Sequence, residues 1–370
     1  MVYFDNAATS PLLPEVKRFV VEHLDFYGNP SSLYYKGYEA KELLEWARET
    51  IAICINAMPE DIYFVSSGTE ADVQALYTGS VKNDSILISS FEHPAISVTA
   101  QHMYFDVEKI FPNINGIINI NEFDKKLDEI KFASIMHANN EIGAVQQIKE
   151  MSNIAHDKKC IIHSDMTQSI GHTPIDIKDI GVDMATASAH KFGGLRGIGF
   201  LYCNSEKNIF PYNLLKGGHQ ERGYRAGTEN VIGAAAMALA LKISVDNLEK
   251  NTNKVLEMRN YILKELVKID DTRFNGSMTN CVPGIINVSF KNLKGDEIQA
   301  MLDDRGIAVS TGSACHSGIN TPSNTLLSIQ VPEEYIGGTI RISLSHMNTI
   351  DEAEEFIKNL KEVIEILRRY

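Results

Sequence analysis

The chain has 370 residues, 44% hydrophobic and 22% charged, the make-up of a globular protein too long for one ordinary core. A formal net charge of -13 without any basic tract excludes the usual footprint of direct binding to nucleic acid or to an anionic membrane. The five cysteines, Cys54, Cys160, Cys203, Cys281 and Cys315, are scattered with no C-x-x-C pair, so neither a disulfide framework nor a metal site is expected.

The start, Met1-Val2-Tyr3-Phe4-Asp5, lacks the regions of a signal peptide, and the longest apolar run, from Val231 to Leu241, is too short to span a bilayer; a cytoplasmic protein is expected. After an extended start, Pro14 to Leu24 reads as a short helix. Gly37 to Asn56 reads as a longer one, with Ala40, Leu43, Leu44, Ala47 and Ile51 at helical spacing. Short apolar runs then recur at Ile62-Val65, Ile86-Ile88, Ala133-Met136, Ile161-Ile162, Val182-Ala187 and Ile198-Tyr202, most of them separated by enough chain for a crossover helix. That pattern predicts an α/β protein with a mainly parallel sheet.

Open sheets of this kind bind ligands beyond the carboxyl ends of their strands. The residues following the runs are Ser67-Gly68-Thr69-Glu70, Glu92-His93-Pro94, Asn139-Asn140-Glu141, Asp165 with Gln168, and Ser188, His190 and Lys191. Five polar or reactive loops in succession exceed what surface chemistry alone requires. Lys191, between the strand-like run 182–187 and a glycine-rich turn, is a candidate Schiff-base amine. From Val231 to about Ile269 the pattern is helical, a bridge to a second domain. That domain has a strand at Ile285-Phe290, a helix from Asp296 to Arg305, a loop of small residues around Cys315, a strand at Thr339-Leu344 and a last helix from about Ile350. Thr349 and Glu352 form a capping box for that helix.

Seven motifs carry a family resemblance. They are Gly28-Asn29-Pro30-Ser31-Ser32, Glu92-His93, the stretch from Met136 to Gly143, Asp165-Met166-Thr167-Gln168-Ser169, His190-Lys191, the stretch from Gln220 to Asn230, and Ser310-Thr311-Gly312-Ser313-Ala314-Cys315. With these in order the chain resembles the cysteine desulfurases, pyridoxal-phosphate enzymes of the class V aminotransferase group, in the class with an extended catalytic loop. The resemblance implies a fold-type I transferase with a large domain over 13–248 and a smaller α+β domain over 1–12 and 249–370. It implies pyridoxal 5'-phosphate as cofactor, L-cysteine as substrate, alanine as product and a persulfide on Cys315 that passes sulfur to an acceptor protein, for iron-sulfur cluster assembly or thiolation.

The residue types suit that chemistry. The cofactor acts as an electron sink, and a carboxylate at its ring nitrogen keeps that nitrogen protonated; Asp165 fits this role, with a helix N-cap as the plainer alternative. The resemblance implies that Gln168 reaches the phenolic oxygen, if the local turn is helical, and that His93 stacks on the ring and moves protons. His102, His156 and His172 read as polar loop residues. Gly68 and Thr69 at a helix start, with Ser188 and His190, supply donors for the phosphate. Thr228 is implied to reach the phosphate of a neighbouring subunit, hence a homodimer. Arg341, assisted by Asn140, is implied to hold the substrate carboxylate. Cys315 is the cysteine set among small residues, whereas the other four read as buried thiols. Ser67, Leu195, His219 and Ala226 depart from the family pattern without removing a catalytic group. Two rival readings are a selenocysteine lyase or other enzyme of the same fold, and a non-catalytic sulfur-carrier subunit. The intact Lys191, Asp165 and His93 disfavour the carrier, and Cys315 disfavours an aminotransferase.

Overall fold

The computed structural model describes residues 1–80, 85–103, 106–311 and 323–369. Its centre is a seven-stranded sheet in the order Ile62–Val65, Gly199–Cys203, Met184–Ser188, Ile161–Asp165, Phe132–Ser134, Ser85–Ser89, Asp106–Ile110. Only Gly199–Cys203 runs against the others, so the expected mainly parallel sheet is present. Four of the strands, Ile62–Val65, Phe132–Ser134, Met184–Ser188 and Gly199–Cys203, are buried at every position, as strands covered on both faces must be. Asp106–Ile110 has exposed and half-buried residues until its last position, and it escapes sequence reading because an edge strand need not be apolar.

Two helices pack together against this sheet. Tyr35–Ile55 buries Ala40, Leu44, Ala47, Ile51 and Ile55, and Asn56 ends it in the left-handed conformation, φ 55° and ψ 48°. Its partner, Val231–Asp246, buries a run of alanines, Ala234 to Ala236 with Ala238 and Ala240, whose small side chains allow close helix approach. The helical pattern expected from Val231 to about Ile269 is carried by two helices, Val231–Asp246 and Leu248–Leu266, meeting at 71°. Asn247 breaks the run because its side chain caps back onto the Ile243 carbonyl at 2.9 Å.

A second core lies on a three-stranded antiparallel sheet, Thr339–Ser343, Ile285–Phe290 and Thr272–Phe274, with Asn287 opposite Arg341. Helices Leu248–Leu266, Gly295–Asp303 and Ile350–Leu367 supply its apolar side chains. The first residues of the chain join it too: Val2–Tyr3 pairs in parallel with Ile307–Ala308, and the Phe4 ring meets Phe356 edge-on at 5.5 Å. Among the described residues no single helix is long and apolar enough to cross a membrane.

Candidate active site

The carboxyl ends of the parallel strands bring most of the expected residues together. Met184–Ser188 ends at a short turn, Ala189–Lys191, and Lys191 Nζ donates to the carbonyls of Ala7 at 2.7 Å and Ala8 at 3.0 Å. Gln168 Nε2 donates to the same Ala7 carbonyl at 2.9 Å, so one peptide group of the N-terminal segment holds both side chains. The chain after Asp165 makes one helical turn without continuing into a helix: Ser169 and Ile170 both donate to the Met166 carbonyl, and the turn carries Gln168 back toward the strand end.

Asp165, at the end of Ile161–Asp165, is buried and accepts the Thr167 N–H at 2.9 Å through one oxygen, an Asx turn instead of a helix cap. His93 caps the helix Pro94–His102, its Nδ1 accepting from the Ala95 N–H at 3.1 Å; in the neutral ring the proton therefore sits on Nε2. Burial lowers the pKa of His93, opposed by the charge of Asp165 and assisted by that of Lys191, so the three groups share one electrostatic environment. The His93 backbone, φ -58° and ψ 147°, is extended as the following proline requires.

The helix Gly68–Ser80 starts beside Ser188. A side chain at Gly68 would come within 3.4 Å of Ser188 Cβ and of Thr167 Oγ1, so the helix N-terminus, the lysine strand and the Asp165 turn adjoin. Gly199 makes this approach possible: a Cβ there would lie 2.7 Å from the Ala187 carbonyl and 2.9 Å from the Ser67 carbonyl carbon. The departure at Ser67 has a local use, since its hydroxyl accepts the Glu70 N–H at 3.1 Å, while Glu70 accepts the Ser66 N–H at 2.8 Å and is paired with Arg225 at 2.9 Å. Thr69 is exposed. His190 Nδ1 meets Thr9 Oγ1 at 3.1 Å, and burial pushes its pKa down to about 4.

Arg341 comes from the other sheet. It is buried, with Nη1 donating to the Asn140 carbonyl at 3.0 Å and Nη2 to Asp5 Oδ1 at 2.7 Å. Cys315 lies outside the described residues, as do Gly312, Ser313, Ala314 and Ser317, but the chain on either side of it is anchored here. Ser310 exchanges backbone hydrogen bonds with Arg341, and on the far side Ser323 and Thr325 donate to the Glu141 carboxylate. Thr228 stands apart, exposed on the loop before Val231–Asp246.

Some groups differ from expectation or were unforeseen. Of the four cysteines read as buried, Cys160 and Cys203 are; Cys54 and Cys281 are half-buried, and burial still pushes the Cys54 thiol up to about 11 and raises that of Cys281. His172 lies in a turn as a half-buried polar residue, its Nε2 bonded to the Lys191 carbonyl at 2.9 Å. His156 lies on the helix Ile148–Asp157 and pairs with Asp183 at 3.2 Å. Glu92 is buried with one oxygen accepting from Ser89 Oγ and the Met136 N–H, and burial raises its pKa to about 8. Asp5 carries no signal of its own in the sequence; its partner is 336 residues away, beyond any local spacing signal.

The aminotransferase class-V family matches residues 2–356. A cysteine desulfurase IscS from Methanosarcina thermophila is 36% identical over 376 residues, covering 99% of this chain and 93% of that protein. The chain belongs to the cysteine desulfurase family. A further relative of that name, from Dictyoglomus turgidum, is 37% identical and covers 99% of this chain and 95% of its own. A solved NifS-like protein from Rickettsia africae superposes with a TM-score of 0.91 at 32% identity over 99% of both chains. Cysteine desulfurases of the class-V group are pyridoxal-phosphate enzymes, and the site has the donor set for that group: a terminal amine, a buried carboxylate, a half-buried histidine and a helix N-terminus flanked by hydroxyls.

Proposed function

We propose that this chain is a pyridoxal-phosphate-dependent cysteine desulfurase that converts L-cysteine to L-alanine and keeps the sulfur as a persulfide on Cys315. The observation that carries the reading is convergence: Lys191, Gln168, His93 and Asp165 gather at the strand ends, while both flanks of the Cys315 segment are tied to Arg341 and Glu141. When bound, the cofactor supplies an electron sink for the carbon that bears the amino group. Lys191 would hold it through its terminal amine and would take the α-proton of the substrate. Asp165 would pair with its ring nitrogen, Gln168 would donate to its phenolic oxygen and His93 would stack on its ring. Gly68, Thr69, Ser188 and His190 would donate to its phosphate. Arg341 with Asn140 receives the α-carboxylate of cysteine. The Cys315 thiolate attacks the substrate sulfur, the C–S bond breaks as the S–S bond forms, and a proton completes alanine.

The same reading makes the protein a cytoplasmic homodimer in which Thr228 serves the neighbouring subunit's phosphate. Support comes from the exposure of Thr228 and of an aromatic group at Tyr27, Tyr34, Tyr35 and Tyr38. The separate cores of the two sheets support a large domain over 13–248 and a small one over 1–12 and 249–370. Sulfur then passes to an acceptor protein for iron-sulfur cluster assembly or thiolation. Cys315→Ser tests the central step: the purified holoprotein is expected to keep its cofactor absorbance and still bind L-cysteine, yet form neither alanine nor persulfide. Alanine release at the wild-type rate would replace the desulfurase with a lyase that eliminates sulfur without an enzyme thiol.

A further inference from the structure

Arg341 presents an unequal guanidinium. Nη1 is held by the Asn140 carbonyl and Nη2 by Asp5, but Nε is buried without a partner among the described residues. Arginine cannot shed a proton to escape that state, and a buried donor with no acceptor is costly, so a bare Nε marks the place where an acceptor arrives. Nε–H and one Nη2–H form a parallel fork that matches the two oxygens of a carboxylate.

We propose that Asp5 is the positioning residue that fixes the Arg341 guanidinium with its Nε edge turned to the α-carboxylate of the amino-acid substrate, an inference that rests on the desulfurase reading. Asp5 is itself firmly placed. Its carbonyl accepts from the Ala8 and Thr9 N–H groups and from the Tyr3 hydroxyl, and its backbone bridges to Ser343 on the strand that carries Arg341. Both members of the pair therefore belong to one laddered unit, and turning the guanidinium about its Cδ–Nε bond would break the bonds to Asp5 and Asn140 together. The Asp5 side chain is 22% exposed against 9% for Arg341, so solvent screens its charge and its main effect on the fork is orientation.

The test compares the holoenzyme with Asp5→Ala and Asp5→Asn. L-alanine and L-alaninamide, which differ at the carboxylate, are titrated by calorimetry, and cysteine turnover is measured alongside. Asp5→Ala is expected to raise the KM for cysteine about tenfold or more while kcat stays within about threefold, and to shrink the preference for L-alanine over L-alaninamide by a similar factor. Asp5→Asn, which keeps an acceptor for Nη2, should restore part of both. If Asp5→Ala does not fold, the intermediate shift in Asp5→Asn carries the test. An unchanged preference in both variants, or a lower KM, overturns the inference, because Asp5 would then be idle or would compete with substrate. Arg341→Lys separates the two levels: if it retains the wild-type preference for L-alanine, the carboxylate reading of Arg341 fails, and the role of Asp5 with it.

Discussion

The two sheets supply the site in different ways. In the seven-stranded sheet the reactive groups stand at the strand ends or in the turns and helix starts that follow them: Asp165 and Ser188 as last strand residues, and Gly68, Thr69, His93 and Lys191 just beyond. Where they join the ladder, as Asp165 and Ser188 do, they join it through the backbone and not through the side chain. In the three-stranded sheet the contribution is one arginine from the middle of a fully buried strand, reaching across to Asn140 and Asp5. A loop residue can be exchanged at the cost of its chemistry alone, whereas a buried guanidinium carries a desolvation cost that only its partners offset. Function should thus be separable from stability on the first sheet and entangled with it on the second.

The largest effect is expected on the first sheet. Lys191→Ala removes the amine that anchors the cofactor and moves the α-proton, so alanine formation from cysteine should fall at least ~10³-fold. The melting temperature of the cofactor-free protein should barely move. A large loss of stability in the apoprotein would break the contrast. On the second sheet, Arg341→Lys keeps a charge but loses the planar fork, and should lower kcat/KM for cysteine roughly 10- to 100-fold. Its apoprotein should also melt lower, since the Asp5 and Asn140 bonds go with the fork. A variant that lost affinity at unchanged stability would show the two sheets to be alike.

Much of this division is legible in the sequence because parallel strands covered on both faces must be apolar throughout, and the loops after them stand out by contrast. Six runs of that kind locate six of the seven central strands. The seventh, Asp106–Ile110, is an edge strand with exposed polar positions, and the short pairs Val2–Tyr3 and Ile307–Ala308 are strands only because each finds the other across the chain. The Asn247 break is hidden because the residues around it all suit a helix. The Asp5–Arg341 pair is hidden for a different reason: no periodicity connects residues that meet only after both sheets have formed. Lys191, His93, Asp165 and Gln168 were visible as strand-end residues, but the common Ala7 carbonyl that holds Lys191 and Gln168 was not.

A pH experiment sharpens the comparison within the first sheet. Burial raises the pKa of Glu92 from 4.5 to about 8, so between those values the folded protein holds a proton that the unfolded chain has released. This group's contribution to stability is complete below about pH 4.5 and is lost as pH rises toward 8. Glu92→Gln, which retains an acceptor for Ser89 and the Met136 N–H, removes that dependence. It should be close to neutral near pH 5 and stabilise by about 1 kcal/mol or more at pH 8, read from urea unfolding at the two pH values. Equal effects at both would mean that Glu92 is ionised in the folded protein.

The smallest effect tests whether the second sheet acts on the site only through Arg341. The helix Ile350–Leu367 starts with the capping box expected from the sequence: Thr349 Oγ1 accepts the Glu352 N–H at 3.3 Å and Glu352 returns to the Thr349 N–H at 3.0 Å. Glu352 also accepts from Asn348, and Asn348 in turn donates to the Tyr3 carbonyl at 3.1 Å, two residues from Asp5. The cap is therefore linked to the segment that orients Arg341, but through Asn348 and not through the Thr349 hydroxyl. Thr349→Ala should cost about 1 kcal/mol of stability, a shift of roughly 1–2 °C in a chain this long. Asn348 keeps its bonds in this variant, so the KM for cysteine should stay within about twofold, by steady-state assay well below the melting transition. A several-fold rise in KM would show that the helix start and the guanidinium move together, and that the small sheet governs substrate binding as a unit and not through one arginine and its aspartate.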